Sequence, residues 1–383
     1  MRMLYITHSE TSLMRDNKIC NGYTKKINDQ IEAFCALGIE TAYYSQLKLN
    51  NLENVTLWDK IKCRLPYSTV STELIYSDVI NGYDAYYIRF GSADYKLYQF
   101  IKKLRKNNSK AKILLEFPNM DCTQMFTHRI VDLPIYWKSQ RFLKRTRNII
   151  DRSVTMNGSQ RFKYYKNIPI INGIVTERIK VIDNNEQFNY REIHLGIVSG
   201  FAVVHGVDIL IESLHQYYLN GKESREVFIH LVGTGQEALM EEYDELVKKY
   251  HLENYVFFHG YLLNEQLDQI YEKFDIGLCE MAGHRRDYPI SSCLKSREYL
   301  ARGLPIVSSI KNDAMKEGYP YFKLIETFND RLDMQEIISF YDEVYGNKKL
   351  EDIRKEIRQY AEETVEMQIT LKPIVDYLKT EDK

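Results

Sequence analysis

The chain has 383 residues, of which 44% are hydrophobic and 27% are charged, a composition typical of a folded protein. Its 52 basic and 53 acidic side chains nearly cancel, and this balance excludes a general electrostatic attraction to nucleic acid. The length favours two domains, at roughly 100–200 residues per domain.

The first half of the chain predicts strands that alternate with helices. The run MLYIT predicts a buried strand, and residues 23–37 have apolar side chains at helical spacing before Gly38, where a helix would end. Strands are then predicted at 41–45, 84–90 and 111–118, and helices at 97–106 and 135–152. This alternation predicts a parallel α/β domain, whose ligands bind at the carboxyl ends of the strands.

A polar segment without apolar period, 181–193, is interpreted as a linker, and the alternation resumes after it. Strands are predicted at 194–200, 227–233, 255–260, 276–280 and 304–309, and helices at 206–219, 236–250, 264–273 and 294–302. The tail from 335 to 379 is predicted to be mostly helical. The fold class is therefore α/β, with two parallel sheets that face a central cleft.

Six scattered cysteines and a polar amino terminus bear on the location of the protein. No two cysteines form a Cys-x-x-Cys pair, which argues against a zinc site or a dithiol redox centre and predicts reduced thiols. The chain becomes polar after Ile6, too early for a signal peptide, and no window approaches the ~20 apolar residues of a membrane span. We expect a cytoplasmic protein, soluble or peripheral on the inner face of the plasma membrane.

The loop 8–23 is the first candidate site. It ends in Asn21, Gly22 and Tyr23 before a predicted helix, and the glycine would let a phosphate approach the helix amino terminus. An ordinary strand-to-helix loop is the alternative. Glu116, at the end of a predicted strand, is a candidate ligand carboxylate, and a buried capping role is its alternative.

The segment SGFAVVHG, residues 199–206, joins a predicted strand to a helix. His205 would face the cleft there as a cation or hydrogen-bonding group, with Asp208 in the first helical turn. A helix cap with a surface histidine explains the same spacing, and the two interpretations stay open.

The segment 283–305 concentrates cations between a strand and a helix. Five side chains could surround a diphosphate: His284, Arg285, Arg286, Lys295 and Arg297. Ser291 and Ser292 could cap the helix that begins near Leu294, and Glu298 could accept the hydroxyls of a ribose. The alternative is a solvated loop with surface Arg–Glu pairs.

The helix predicted at 135–152 carries a basic stripe of Lys138, Arg141, Arg145 and Arg152 beside apolar residues. The stripe could rest on an anionic membrane surface. A solvated helix face is the alternative.

These motifs together resemble the family-4 retaining glycosyltransferases of the GT-B fold. EYLARGLPIV, residues 298–307, is similar to the family's E-A-M-A-x-G-x-P-V, with Glu298 on its glutamate. SGFAVVHGVDILIESL and HLVGTGQ resemble the donor-site turn and the I-V-G-x-G strand end of the family, and IINGIV resembles its P-N-G-V. The resemblance spans nearly the whole chain.

Three positions depart from the family pattern. Ile290 stands eight positions before Glu298, where the family has a first glutamate, and His205 and Gly200 stand at the usual lysine and arginine. A subgroup with an H-G turn and an L-K-S-R-E-Y helix, linked to capsule, exopolysaccharide and lipopolysaccharide synthesis, is more similar. In that subgroup the implied compensation is that Arg285 and Lys295 supply the charge.

The resemblance implies two Rossmann-like domains, 1–180 on the acceptor side and 181–360 for the donor, with 361–383 packing back toward the first. It implies a bacterial hexosyltransferase that moves a sugar, with retention, from a nucleoside-diphosphate sugar to a glycan or lipid-linked hydroxyl, without a cofactor or metal. The implied catalytic residues are His284, Arg285, Lys295 and Glu298. The implied donor-binding residues are Gly200, His205, Gly233, Gly235, Ser291, Ser292, Cys293 and Leu294, and the acceptor-side residues are Asn21, Gly22, Tyr23 and Glu116.

Two rival functions remain at this point. A catalytically inactive GT-B subunit that binds glycan or a partner transferase is favoured by Ile290 and opposed by the retained Arg, Lys and Glu cluster. A nucleotide-sugar epimerase of similar fold is supported by the architecture alone.

Overall fold

The computed structural model describes residues 1–7, 22–45, 47–49, 58, 61, 64, 65, 72–89, 95–117, 130, 133–156, 164–183, 189–221, 225–263, 265–285, 290–327, 330–346 and 348–380. Most of the loop 8–23, including Asn21, lies outside these residues, and so does Arg286.

The chain divides into two compact units, one of residues 1–171 with 367–383 and one of residues 172–366. The sequence predicts changes of domain after residues 180 and 360, whereas the units change after residues 171 and 366. Residues 172–180 belong to the second unit, where residues 174 and 176 form hydrogen bonds with residues 365 and 366. Ile174 N donates to Val365 O at 2.9 Å, and Thr176 Oγ1 donates to Glu366 Oε2 at 2.6 Å.

The first unit contains a six-stranded sheet of order β2-β1-β5-β6-β7-β8, in which every pair is parallel. Its strands are β1 (Arg2–Ile6), β2 (Glu40–Tyr44), β5 (Ala85–Arg89), β6 (Lys112–Phe117), β7 (Arg152–Met156) and β8 (Asn167–Ile170). A short antiparallel pair joins β3 (Leu47–Leu49) to β4 (Thr72–Leu74). The residues of β5 and β6 are buried along their whole length, as the apolar runs predict for central parallel strands.

Among the described residues, this unit has four α-helices: α1 (Gly22–Ala36), α2 (Tyr95–Asn107), α3 (Leu133–Thr146) and α10 (Met367–Lys379). α10 packs against α1 and β8. Lys379 Nζ donates to Leu37 O at 2.9 Å, and Lys112 Nζ donates to Tyr377 O at 3.2 Å. The carboxyl terminus therefore completes the unit that the amino terminus begins.

The second unit contains a six-stranded parallel sheet of order β11-β10-β9-β12-β14-β16. Its strands are β9 (Glu192–Val198), β10 (Glu226–Val232), β11 (Val256–Gly260), β12 (Ile276–Leu278), β14 (Ile306–Ser308) and β16 (Phe322–Leu324). Two two-residue strands, β13 (Ile290–Ser291) and β15 (Lys311–Asn312), pair beside it. Its helices are α4 (Val207–Leu219), α5 (Glu237–Lys249), α6 (Glu265–Tyr271), α7 (Leu294–Arg302), α8 (Met334–Tyr345) and α9 (Leu350–Thr364).

The predicted α/β class with two parallel sheets is confirmed, and two element boundaries are corrected. The predicted linker 181–193 ends in the first residues of β9, which begins at Glu192. The predicted helix 135–152 ends at Thr146, where Ile149 N and Ile150 N both donate to Thr146 O in a closing turn. Arg152 then begins β7.

The shortened helix α3 divides the predicted basic stripe. Lys138 is buried, with 8% of its surface exposed, and Arg152 lies on a strand. The stripe as predicted is therefore wrong, and the exposed cations of α3 are Arg141, Lys144 and Arg145. None of the described helices combines the length and apolar character that a bilayer crossing requires.

Candidate active site

The candidate site of the second unit lies where β9, β10 and β12 end. The turn after β9 bonds to the turn after β10, since Phe201 N donates to Thr234 O at 2.8 Å. It also bonds to the segment after β12, since Met281 N donates to His205 O at 3.2 Å. Three strand ends therefore meet at one edge, where α/β sheets bind their ligands.

The predicted donor-binding glycines come together in these turns. Gly233 has a φ of +124°, and a Cβ there would lie 1.9 Å from the carbonyl oxygen of Ser199. A Cβ on Gly235 would lie 3.0 Å from the carbonyl oxygen of Phe201. Gly200 stands between these contacts and is exposed. The absence of side chains lets the two turns approach and leaves backbone accessible to a ligand.

His205 uses both ring nitrogens within its own turn. Nδ1 accepts from Ala202 N–H at 3.0 Å, which leaves Nε2 to donate to Ser199 Oγ at 2.9 Å. The residue is 6% exposed. The ring is therefore buried, and its hydrogen bonds to Ala202 and Ser199 stabilise the glycine turn. Its contact with a donor stays a prediction.

Arg285 and His284 are held by carboxylates of the same unit. Arg285 Nη1 and Nη2 donate to the two oxygens of Asp208 at 3.0 and 2.6 Å, and Nε donates to Asp330 Oδ1 at 2.9 Å. These hydrogen bonds, from Asp208 first, raise the pKa of Arg285. His284 Nε2 lies 2.8 Å from the same Asp330 oxygen, and Nδ1 lies 3.0 Å from Thr327 Oγ1. A diphosphate would have to displace these groups.

Lys295, on the first turn of α7, is in a different situation. It is 8% exposed, and its Nζ makes no hydrogen bond to any described residue. Its nearest ion-pair partner is Glu280, whose Oε1 lies 4.0 Å away. Glu280 follows β12 and is 2% exposed. A buried ammonium without a hydrogen bond is costly, and an anionic ligand would relieve that cost.

Arg297, on the same helix, does not belong to the ligand site as predicted. The residue is fully buried and pairs with Asp313. Its Nε donates to Asn172 O at 3.1 Å, and its Nη1 donates to Asn312 Oδ1 at 3.0 Å. The predicted place of Arg297 around a diphosphate is wrong, because protein groups surround the guanidinium.

The predicted serine cap of α7 is also wrong. The helix begins at Leu294 after Cys293, and Cys293 makes no side-chain capping bond. Ser291 is buried in β13. Ser292 instead bonds to other segments: Asn172 Nδ2 donates to its carbonyl at 2.5 Å, and Arg297 Nη2 donates to its hydroxyl at 3.4 Å. Glu298 is half-buried, one turn after Lys295.

In the first unit, Glu116 lies in a buried polar network at the ends of β5 and β6. Its Oε1 accepts from Arg89 Nη1 at 2.8 Å. Arg89 also donates to Gln30 at 3.3 Å, and Tyr5 donates to Gln30 at 2.7 Å. Glu116 is fully buried, so the described contacts agree with its buried alternative. Gly22 and its neighbour Tyr23 begin α1.

Sequence reasoning missed several residues of the site. Asp330 pairs with Arg285 and Glu280 lies near Lys295, and the sequence analysis singled out neither. Glu280 carried a signal, because it is the last residue of a predicted strand. Cys279, Glu280 and Cys293 place potential metal-binding atoms within 4.8 Å of one another. The nearby ammonium of Lys295 opposes a cation at that place.

Two parallel Rossmann-like units, one with a glycine turn and a cationic helix start at its strand ends, define the GT-B class. Residues 192–327 match the family described as Glycosyl transferases group 1. This match confirms the predicted enzyme class, glycosyltransferase, for the segment that carries the candidate site.

Solved structures share the fold over the whole chain. The chain is similar to Anabaena HepE in complex with UDP and glucose, at 13% identity and a TM-score of 0.59 over 100% of both chains. It is similar to sucrose-phosphate synthase of Thermosynechococcus elongatus, at 12% identity and a TM-score of 0.64 over 99% of each chain. A glycosyltransferase of Rickettsia africae matches at 12% identity and a TM-score of 0.62, over 99% of this chain and 97% of that one. No curated protein matches the sequence.

Proposed function

We propose that the chain transfers a sugar from a nucleoside-diphosphate sugar to a glycan hydroxyl, and that the second unit binds the donor. The observation that carries this proposal is Lys295, a buried ammonium at a helix start without a hydrogen bond to a described residue. A diphosphate would supply both the acceptor oxygens and the opposite charge. The UDP complex of the structurally similar HepE supports the choice of ligand.

In this proposal the protein positions the reactants and stabilises the leaving group, and retention follows from attack on the face that the diphosphate leaves. The bond between the anomeric carbon and the phosphate oxygen breaks, and the acceptor oxygen takes its place. The acceptor proton passes to the departing phosphate. Lys295 and the amino terminus of α7 neutralise the growing charge, and Glu298 accepts the ribose hydroxyls.

Arg285 and His284 take supporting roles in the same proposal. Asp330 is more than half exposed and can be displaced, whereas Asp208 is less than one-quarter exposed. A phosphate oxygen that replaces Asp330 would leave the bidentate pair between Arg285 and Asp208 intact. Glu116 and the start of α1 are proposed to lie on the acceptor side.

The acceptor and the biological role belong to the proposal as well. We infer a lipid-linked or glycan acceptor in bacterial surface polysaccharide synthesis, because the H-G turn and the L-K-S-R-E-Y helix resemble that subgroup. The exposed cations of α3, beside the 63% exposed Trp137, would favour a peripheral contact with an anionic membrane.

The test is Lys295→Met against the exposed Lys311→Met of the same unit. Because leaving-group charge grows toward the transition state, Lys295→Met is expected to lower turnover more than it lowers affinity for the nucleoside monophosphate. Lys311→Met should leave both unchanged. The donor is first found by thermal shift with UDP-, GDP-, TDP- and ADP-sugars, since bound ligand raises the melting temperature. Equal losses of turnover and monophosphate affinity in Lys295→Met would refute the role of this residue.

An inactive GT-B subunit that binds glycan or a partner transferase remains a second candidate. The hydrogen bonds of Arg285 and His284 to carboxylates favour it, because neither side chain can reach a ligand without rearrangement. A transferase hydrolyses its donor slowly in the absence of acceptor, and a binding subunit does not.

A further inference from the structure

Two cysteines that are 14 positions apart in the chain lie close together at the start of α7. The sulfur atoms of Cys279 and Cys293 lie 3.9 Å apart. Cys279 directly follows β12 and is buried, whereas Cys293 directly precedes α7 and is partly exposed. A disulfide holds its sulfurs at about 2.05 Å, so a bond between these two requires them to approach by about 2 Å.

The two thiols differ in acidity. A hydrogen bond with the Cys279 thiol lowers the pKa of Cys293 to about 7, burial and Glu280 oppose this effect, and Lys295 adds to it. Burial raises the pKa of Cys279 well above its usual value. The accessible cysteine is therefore the one that is partly a thiolate at neutral pH, and the thiolate is the reactive species.

We propose that Cys279 and Cys293 form a thiol–disulfide exchange site for a low-molecular-weight disulfide such as oxidised glutathione. The Cys293 thiolate attacks one sulfur of the small disulfide, the first small thiolate leaves, and a mixed disulfide forms. The Cys279 sulfur then attacks the Cys293 sulfur, and its proton passes to the second small thiol as that thiol leaves. Two protein thiols are oxidised to one disulfide, and one small disulfide is reduced to two thiols.

The position of Cys293 connects this modification to the donor site. Its carbonyl oxygen accepts from Ser296 Oγ at 2.8 Å and from Arg297 Nη1 at 3.1 Å. A movement of Cys293 toward Cys279 therefore displaces groups of the first helical turn, which also carries Lys295. Oxidation is expected to weaken nucleotide binding, and this consequence rests on the proposed function.

The experiment treats the reduced full-length protein with oxidised glutathione at neutral pH and maps its tryptic peptides without reduction. Cys279 falls in the peptide that ends at Arg285, and Cys293 in the peptide that ends at Lys295. Wild type should yield these two peptides cross-linked. Cys279→Ser should stop at a glutathione adduct on Cys293, and Cys293→Ser should yield no cross-link. Cys35→Ser, which removes an exposed cysteine elsewhere, should behave as wild type.

Nucleotide affinity is measured on the same samples. Oxidation should weaken it by roughly 5-fold to 150-fold, the usual range of coupling between sites, and a dithiol reductant should restore it. If the folded wild-type protein forms no cross-link between the two peptides after treatment with oxidised glutathione, the exchange site is refuted. A cross-link without a change in affinity would refute the connection to α7. If reduced protein binds no nucleotide, the proposed function fails, while the cross-link still decides on the exchange site.

Discussion

Arg297 places a full charge inside the second unit, and groups from three separate segments accept hydrogen bonds from its guanidinium or pair with it. These are the carbonyl of Asn172, the carbonyl of Cys293, and the side chains of Asn312 and Asp313. A buried ion pair of this kind contributes little net stability compared with apolar packing, but removal of one partner leaves an uncompensated charge. Arg297 therefore orders the segments that surround α7.

The replacement Arg297→Met is expected to lower the free energy of unfolding by about 3–5 kcal/mol, because Asp313 would remain buried without its cation. Urea denaturation measures the change. The control is Lys348→Met, which removes an ion pair with Glu356 whose side chains are 47% and 48% exposed. Exposed pairs contribute at most about 1 kcal/mol, so this control should stay close to wild type. A stable Arg297→Met variant would contradict the structural role.

At the scale of elements, three adjacent strands carry a row of hydrogen-bonded histidines. His194 Nδ1 lies 2.9 Å from His230 Nε2, and His230 Nδ1 lies 3.0 Å from His259 Nε2. Glu192 lies 3.4 Å from His194 Nε2, which favours a proton on that nitrogen. All three histidines then donate through Nε2, and His194 and His230 accept through Nδ1. This order requires neutral rings at His194 and His230, because a proton added to Nδ1 of either would place two N–H groups against each other.

Burial, followed by the neighbouring histidines, lowers the pKa of His230 to about 3. In the unfolded chain the pKa of histidine is about 6.5, so below that pH the unfolded state binds more protons. Stability is therefore lost as the pH falls from about 6.5 toward 3, and His230 should account for about 2 kcal/mol between pH 7 and pH 5.

Urea unfolding at pH 5, 6 and 7 tests this row. His230→Gln should unfold with a weaker dependence on pH than wild type. The surface variant His251→Asn, at a residue with a φ of +53° that asparagine tolerates, should keep the dependence of wild type. Identical pH profiles for wild type and His230→Gln would show that the row does not control acid stability.

The exposed cations of helix α3 differ from the predicted basic stripe, because Lys138 is buried and Arg152 lies on β7. Arg141, Lys144 and Arg145 are exposed. Each cation near an anionic surface contributes about 1 kcal/mol. Wild type should therefore sediment with anionic vesicles at low salt and be released near ~0.5 M salt, where screening reduces the range of the charges to a few Å.

Replacement of these three cations by glutamine should abolish the sedimentation. The matched control replaces Lys102, Lys103 and Lys106, which are exposed on α2, and removes the same charge. If both triple variants lose binding equally, net charge rather than α3 is responsible. If wild type never sediments, α3 is a solvated face.

At the scale of the whole molecule, the chain enters the first unit twice, at its beginning and through α10 at its end. Ile374 of α10 is fully buried, whereas Ile369 of the same helix is 44% exposed. Ile374→Ala should cost about 2–5 kcal/mol, and Ile369→Ala should change stability by no more than about 0.5 kcal/mol. In the Ile374→Ala variant, amide hydrogen exchange should accelerate only in peptides of the first unit. Peptides of the second unit serve as the internal reference. Uniform acceleration in both units would contradict this division.

The order and type of the main elements followed from the sequence, because burial in a parallel sheet leaves a local pattern. The strands β1, β5 and β6 read as apolar runs, and Gly38 marks the end of α1. The glycine turn and the resemblance around Glu298 also located the edge of the second sheet where the candidate site lies. These features depend on neighbours within one element, so periodicity and turn chemistry suffice to predict them.

Only the tertiary structure determined which partners each charged or reactive side chain contacts. Arg297 and Lys295 stand two positions apart, yet one is enclosed by protein acceptors and the other makes no hydrogen bond to a described residue. Their partners come from residues 172, 280 and 313, and no local pattern predicts those meetings. Cys279 and Cys293 meet for the same reason, since β12 and α7 are brought together only by packing. Burial and partner geometry are properties of the folded chain, and they determine which cation is hydrogen-bonded by protein groups and which is not.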